Sequence, residues 1–102
     1  MVSTVATIRP MHWTDLATVE NLERRLFAVD PWTSETFWSE LANVPATRCY
    51  LVVVDEDQRI LGYAGVMTVG DDADVQTIAV DEEARGRGIG RMLVHAMNRV
   101  AI

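Results

Sequence analysis

Apolar positions along the chain recur with two different periods, and the switches between them delimit the elements. Val5, Thr7 and Arg9 alternate with Ala6 and Ile8 up to Pro10, which has no N–H to give to a sheet, so a first strand is predicted over residues 4–9. Leu16, Val19, Leu22, Leu26 and Phe27 then recur at helical steps through a charged background, behind Thr14 and Asp15 as capping residues. They predict a helix over residues 14–28. Asp30-Pro31-Trp32 breaks it. Thr33 or Ser34 supplies a new cap, Glu35 a first-turn acid, and Phe37, Trp38 and Leu41 the apolar face of a second helix ending near Asn43. The β-branched run at residues 49–54, the polar stretch 55–59 and the run 60–69 read as a β-hairpin. Gly70-Asp71-Asp72 turns the chain again into a strand over residues 75–80. Beyond a loop at 81–87, Ile89, Leu93, Ala96, Met97 and Val100 mark one face of a helix reaching the last residue. The predicted order is β-α-α-β-β-β-α, an α/β fold with a mainly antiparallel sheet flanked by helices.

A length of 102 residues suits one domain, so residues 1–102 are read as a single unit. With 49% hydrophobic and 24% charged residues and no repeat, global disorder and solenoid architectures are excluded. No apolar run approaches the roughly 20 residues of a membrane span, and the N-terminus lacks a signal-peptide pattern; a cytoplasmic location without a membrane partner is expected. Cys49 is the single cysteine, read as a structural thiol.

The formal net charge of −6 argues against direct nucleic-acid binding, which depends on neutralising phosphates. The distribution says more. All nine basic residues are arginines, and Arg85, Arg87 and Arg91 share a short stretch with Gly86, Gly88 and Gly90. There an apolar strand feeds a glycine-rich loop that opens onto a helix, leaving unpaired N–H groups and a partial positive charge at the helix start. That pattern is a seat for phosphate or pyrophosphate. A Walker loop needs a lysine, and the chain has none. The dinucleotide fingerprint needs a different spacing of its third glycine. A tight turn with no ligand stays open as the plain structural reading.

Arg85-x-x-Gly88-x-Gly90, preceded by Ile78-Ala79-Val80-Asp81, resembles the acetyl-CoA motif of the GNAT superfamily of N-acetyltransferases, and the upstream order of elements is similar too. Asp30-Pro31-Trp32-Thr33, followed by Phe37, looks most like the ribosomal-protein N-terminal alanine acetyltransferases, the RimI-like branch. The resemblance implies acetyl-CoA as cosubstrate, no metal, and a protein or peptide N-terminus, such as that of a ribosomal protein, as acceptor. It implies that Ile78, Ala79 and Val80 lend backbone to the pantetheine arm, and that Gly86, Arg87, Gly88, Ile89, Gly90 and Arg91 hold the pyrophosphate. Trp32 becomes a candidate for lining the acceptor groove, with a hydrophobic lid over the two helices as its alternative.

The resemblance covers the first two thirds of the family's fold. In RimI-like enzymes the remaining third carries the glutamate and tyrosine proposed as base and acid, so the catalytic pair is left unassigned. Asp74 is the remaining carboxylate of interest, against its reading as a plain turn aspartate. Tyr50 and Tyr63 are read as packing residues, and His12 and His95 as solvated. The expectation is a truncated unit, weakly active or inactive by itself and self-associating through an open sheet edge. A non-catalytic CoA-binding or interaction module is the alternative.

Overall fold

The computed structural model describes residues 5–44 and 46–101. Four strands, β1 (Thr7–Pro10), β2 (Arg48–Val54), β3 (Ile60–Val69) and β4 (Asp72–Val80), form one sheet in the order β1-β2-β3-β4, every pair antiparallel. Three helices accompany it: α1 (Leu16–Leu26), α2 (Ser34–Leu41) and α3 (Ile89–Ala101).

The hydrophobic run in β2 is continuous because both faces of the sheet are covered. Val52, Val54 and Tyr63 pack with Leu16, Val19, Leu22 and Phe37 from α1 and α2, whereas Val53, Leu61 and Ala64 pack with Ile89, Leu93 and Met97 from α3. Alternate residues of one strand therefore enter two different layers. Gly62 makes the α3 side close: a Cβ there would lie 2.8 Å from the Ala79 carbonyl oxygen and 3.1 Å from Ile89 Cγ2.

The predicted order of elements and fold class hold, and the boundaries shift for physical reasons. The first strand runs from Thr7 to Pro10, so Val5 and Ala6 precede it, and Thr4 lies outside the described residues. Pro10 is accommodated because β1 is an edge strand, paired only with β2. The first helix is shorter than residues 14–28. A single 3₁₀ turn at Trp13–Asp15 precedes α1, and Asp15 is held by Arg9 through two hydrogen bonds of 2.8 and 2.9 Å. Thr33 caps α2, its hydroxyl accepting from the Thr36 N–H, and α2 ends at Leu41. Strand β4 begins at Asp72, earlier than predicted, because β3 extends to Val69 and pairs with it throughout. The loop at 81–87 holds a 3₁₀ turn at Glu82–Ala84, capped by Asp81.

Two features of β4 prepare the site. It is the far edge of the sheet, so alternate backbone groups face away from any partner strand among the described residues. It also carries a bulge, since Gly65 pairs with Thr77 but Val66 with Val75, leaving Gln76 as the extra residue. Such a bulge bends a strand and re-aims its side chains. Gln76 is held there by the Tyr50 hydroxyl, which donates to its Oε1 at 2.9 Å.

Candidate functional site

At its C-terminal end β4 feeds the glycine loop. Gly86 and Gly88 have φ of +83° and +76°, the left-handed region that glycine occupies without strain, and a Cβ built on either meets nothing within 4 Å. Both glycines thus serve the path of the chain and leave open space above it. Gly90 is ordinary: a Cβ there would make a normal 3.7 Å contact with Val80. The first hydrogen bond entering α3 runs from the Met92 N–H to the Gly88 carbonyl at 3.0 Å, and the N–H groups of the turn before it have no backbone partner among the described residues.

A shallow hollow of about 450 Å³ lies over this turn, lined by Val80, Arg85, Gly86, Gly88, Gly90 and Arg91, with Ile89 buried beneath. Arg87 lines the neighbouring hollow, with Asp55, Asp57 and Arg59. Arg85, Arg87 and Arg91 are exposed and make no ion pair among the described residues, whereas Arg9, Arg25, Arg48 and Arg59 are all paired. Asp81 pins the start of the loop: its N–H donates to the Leu61 carbonyl at 2.8 Å, and its carboxylate faces Arg25 at 3.5 Å and Arg59 at 3.7 Å.

On the other side of β4 a cavity of about 390 Å³ opens between Val75, Gln76, Thr77 and Ile78 of the strand and the Phe27–Trp32 linker of the two helices. Trp32 lines it while packing against Phe37 with ring centroids 5.3 Å apart, so its two predicted roles are compatible in one position. Asp30, at φ +60°, also lines it. Ile78 is partly exposed to this cavity, while Ala79 and Val80 turn into the two core layers.

The floor holds a residue that hydrophobic patterning passes over as background charge. Glu23 is 3% exposed; its Oε1 accepts from the Tyr63 hydroxyl at 2.6 Å and its Oε2 from the Trp32 N–H at 2.9 Å. The signal was present in the chain, since Glu23 lies four residues after Val19 and three before Leu26, inside the apolar stripe of α1.

The remaining candidates are packing or surface groups. Asp74 sits on the exposed first part of β4 and is not among the residues lining the cavity. Tyr50 and Tyr63 are buried; burial pushes both phenols well above their ordinary range, with the bond to Glu23 adding to the shift of Tyr63. Burial also raises the Cys49 thiol, which disfavours its nucleophilic form. His12 and His95 are exposed. Among the described residues no group of three or more His, Cys, Asp or Glu is arranged to hold a metal ion, and no helix is long and apolar enough to cross a membrane.

Comparison with known proteins identifies the family of the fold. The chain is similar to proteins named as ribosomal protein bS18-alanine N-acetyltransferases: one from Bacillus subtilis, so named provisionally, is 34% identical over 92 residues, and one from Salmonella typhimurium is 33% identical over 88. These alignments cover 90% and 86% of the chain but 59% and 56% of the relatives. The crystal structure of the ribosomal-protein-S18-alanine N-acetyltransferase from Escherichia coli superposes with a TM-score of 0.80 at 26% identity, covering 95% of this chain and 59% of that one. The chain thus spans less than two thirds of the length of these proteins. Residues 13–102 match the acetyltransferase (GNAT) family, and the chain belongs to it.

Proposed function

We propose that this chain carries the acetyl-CoA-binding portion of an N-acetyltransferase that acts on a protein N-terminal α-amine, such as that of a ribosomal protein, in the cytoplasm. The observation that carries the reading is an edge strand, β4, running into a loop with two left-handed glycines, open space above them, and Arg85 and Arg91 at its rim with no ion pair among the described residues. These features fit an extended cosubstrate with a pyrophosphate: backbone groups of Ile78, Ala79 and Val80 for the pantetheine arm, and the turn from Gly86 to Arg91 for the phosphates. The names of the relatives support the acetyl donor and a protein acceptor.

Acetyl-CoA supplies an activated thioester: the amine nitrogen bonds to the carbonyl carbon, the carbon–sulfur bond breaks, sulfur keeps the electron pair and the nitrogen loses a proton. The chain's part is to hold donor and acceptor together and to aim N–H groups of β4 at the carbonyl oxygen as charge develops there. Trp32 and the linker around it form one wall of the acceptor cavity.

Isothermal titration tests the reading. Acetyl-CoA should bind, inorganic pyrophosphate should compete, and Gly88→Val should weaken binding by about tenfold or more, because a branched side chain both blocks the approach to the backbone and strains a left-handed position. Equal affinity in both proteins, with both folded by circular dichroism, overturns it.

A second reading, a module that binds CoA without transferring the acetyl group, is favoured by one observation. Both tyrosine hydroxyls are engaged, with Gln76 and Glu23, so neither is free to protonate a leaving thiolate. Binding of acetyl-CoA without thiol release in the presence of an alanine-led peptide, both by this chain and by a version extended with the remaining third of the family's fold, selects this second reading.

A further inference from the structure

Three acids are buried among the described residues: Asp15, Glu23 and Asp81. Asp15 is paired with Arg9, and Asp81 with Arg25 and Arg59. Glu23 has no cation among the described residues. Its two hydrogen bonds come from neutral donors, a phenol and a backbone N–H, each taking one oxygen and leaving acceptor capacity on both. A carboxylate removed from water and left without an opposite charge is costly, which is why buried acids are ordinarily paired. The missing partner has an obvious place to come from, because Glu23 lines the cavity between β4 and the helix linker. That cavity is shaped for a cation in other respects as well. Phe27 and Trp32 offer aromatic surface, Asp30 adds a second acid, and among the described residues no basic one lines it.

We infer that Glu23 is an acceptor-binding residue whose carboxylate receives the ammonium group of a primary amine entering this cavity. The inference rests on the acetyl-transfer reading for the identity of the amine, a peptide α-amine, and deepens it by naming the group that recognises it. The two bonds that Glu23 accepts give the arrangement its rigidity. Tyr63 on β3 fixes one oxygen and the Trp32 N–H the other, so the carboxylate is held against the sheet while it anchors the linker. A pre-oriented acceptor of this kind loses little freedom when the ammonium arrives. It also discriminates. A cavity built around a buried charge rejects an acylated or otherwise neutral N-terminus, which would leave the carboxylate desolvated and unpaired.

The test uses the full 102-residue chain with saturating CoA and an alanine-led peptide, either with its free amine or N-acetylated. Wild-type protein should bind the free amine about tenfold more tightly or better, the scale of one charge-assisted hydrogen bond. Glu23→Gln keeps the shape and removes the charge; the preference should shrink below about threefold while affinity for acetyl-CoA stays unchanged within about twofold. Asp30→Asn is the discriminating comparison, since asparagine tolerates the left-handed backbone at that position equally well. Loss of the preference in Asp30→Asn with retention in Glu23→Gln overturns the assignment. A second measurement needs no variant: alanine amide, which is cationic, should shift the Trp32 backbone amide resonance, and neutral N-acetyl-alanine amide should not. Equal shifts, or none, overturn the inference. Wild-type protein that binds acetyl-CoA but shows no preference for the free amine overturns this inference alone, whereas failure to bind acetyl-CoA overturns the acetyl-transfer reading with it.

Discussion

Gly65 stands across from Tyr50 in the ladder between β2 and β3, and the phenol ring lies over it so closely that a Cβ would overlap Tyr50 Cε2. An aromatic side chain covering a glycine in this way leaves no tolerance for a methyl group. Gly65→Ala should lower stability by about 1–3 kcal/mol, the cost of overpacking, measured by urea unfolding; unchanged stability would mean that the ring moves aside freely. Since Tyr50 also fixes Gln76 at the bulge, the same substitution should loosen β4 next to the cavity it shares with the helix linker. Asp15 shows the electrostatic counterpart. The hydrogen bonds from Arg9, helped by the N–H of His12, hold its carboxyl below the ordinary value of 3.8. Its folded pKa is depressed, so its contribution is complete above the unfolded value and is lost as pH falls through the folded one. Asp15→Asn should therefore cost about 1–3 kcal/mol at neutral pH. The difference from wild type should fade below about pH 4. A penalty that persists undiminished to pH 2 would show that packing, and not charge, is what Asp15 contributes.

Among the elements, α2 depends most on local signals. It has eight residues, too few to be stable from backbone bonding alone, and it is held by its cap and by Phe37 against the sheet. Thr33→Ala removes the hydroxyl that accepts from the Thr36 N–H and should cost about 1 kcal/mol. Hydrogen exchange should show faster opening in α2 with α3 unaffected, because the two helices pack on opposite faces of the sheet. Uniform acceleration across both helices would instead indicate that the element has no stability of its own to lose. The linker before α2 is tied down at Trp32 through Glu23, so the elements that shape the cavity beside β4 are connected by hydrogen bonds as well as by packing.

For the whole molecule the decisive feature is the asymmetry of the sheet. At one edge β1 is short and ends in proline; at the other, nine-residue β4 exposes backbone groups together with Val75 and Ile78. Long, partly apolar edges pair with other chains unless something covers them. We propose that the chain self-associates through β4 and that acetyl-CoA lying along the same strand relieves it. Sedimentation velocity should show association that grows with protein concentration and diminishes when acetyl-CoA saturates the protein. Association that ignores acetyl-CoA would place the contact elsewhere, with the stacked and exposed Trp13 and Trp38 as the next surface to mutate.

Much of this was legible in the chain because it is governed by neighbours in sequence. The period-two and helical patterns identified each strand and helix, Thr33 marked the start of α2, and the spacing of Gly86, Gly88 and Gly90 after an apolar strand pointed to the loop and to the family. A cap, a turn glycine and an apolar stripe act over a few residues, so their physics is written locally. What the chain alone left undecided depends on groups brought together from far apart. Hydrophobic patterning leaves Glu23 in the charged background of α1; only the fold brings Tyr63, forty residues away, and Trp32 onto its two oxygens, with no cation facing it among the described residues. The extra residue in β4 likewise follows from its pairing with β3 and the reach of Tyr50, and the bounds of β1 and β4 from how far their partner strands extend. Arg87 was grouped with Arg91 by proximity in sequence, yet the left-handed glycines on either side of it send the chain so that it lines a different hollow. The chain by itself determined the elements and the loop that joins β4 to α3, and tertiary structure alone decided which charges are compensated, because compensation is a matter of distance in space.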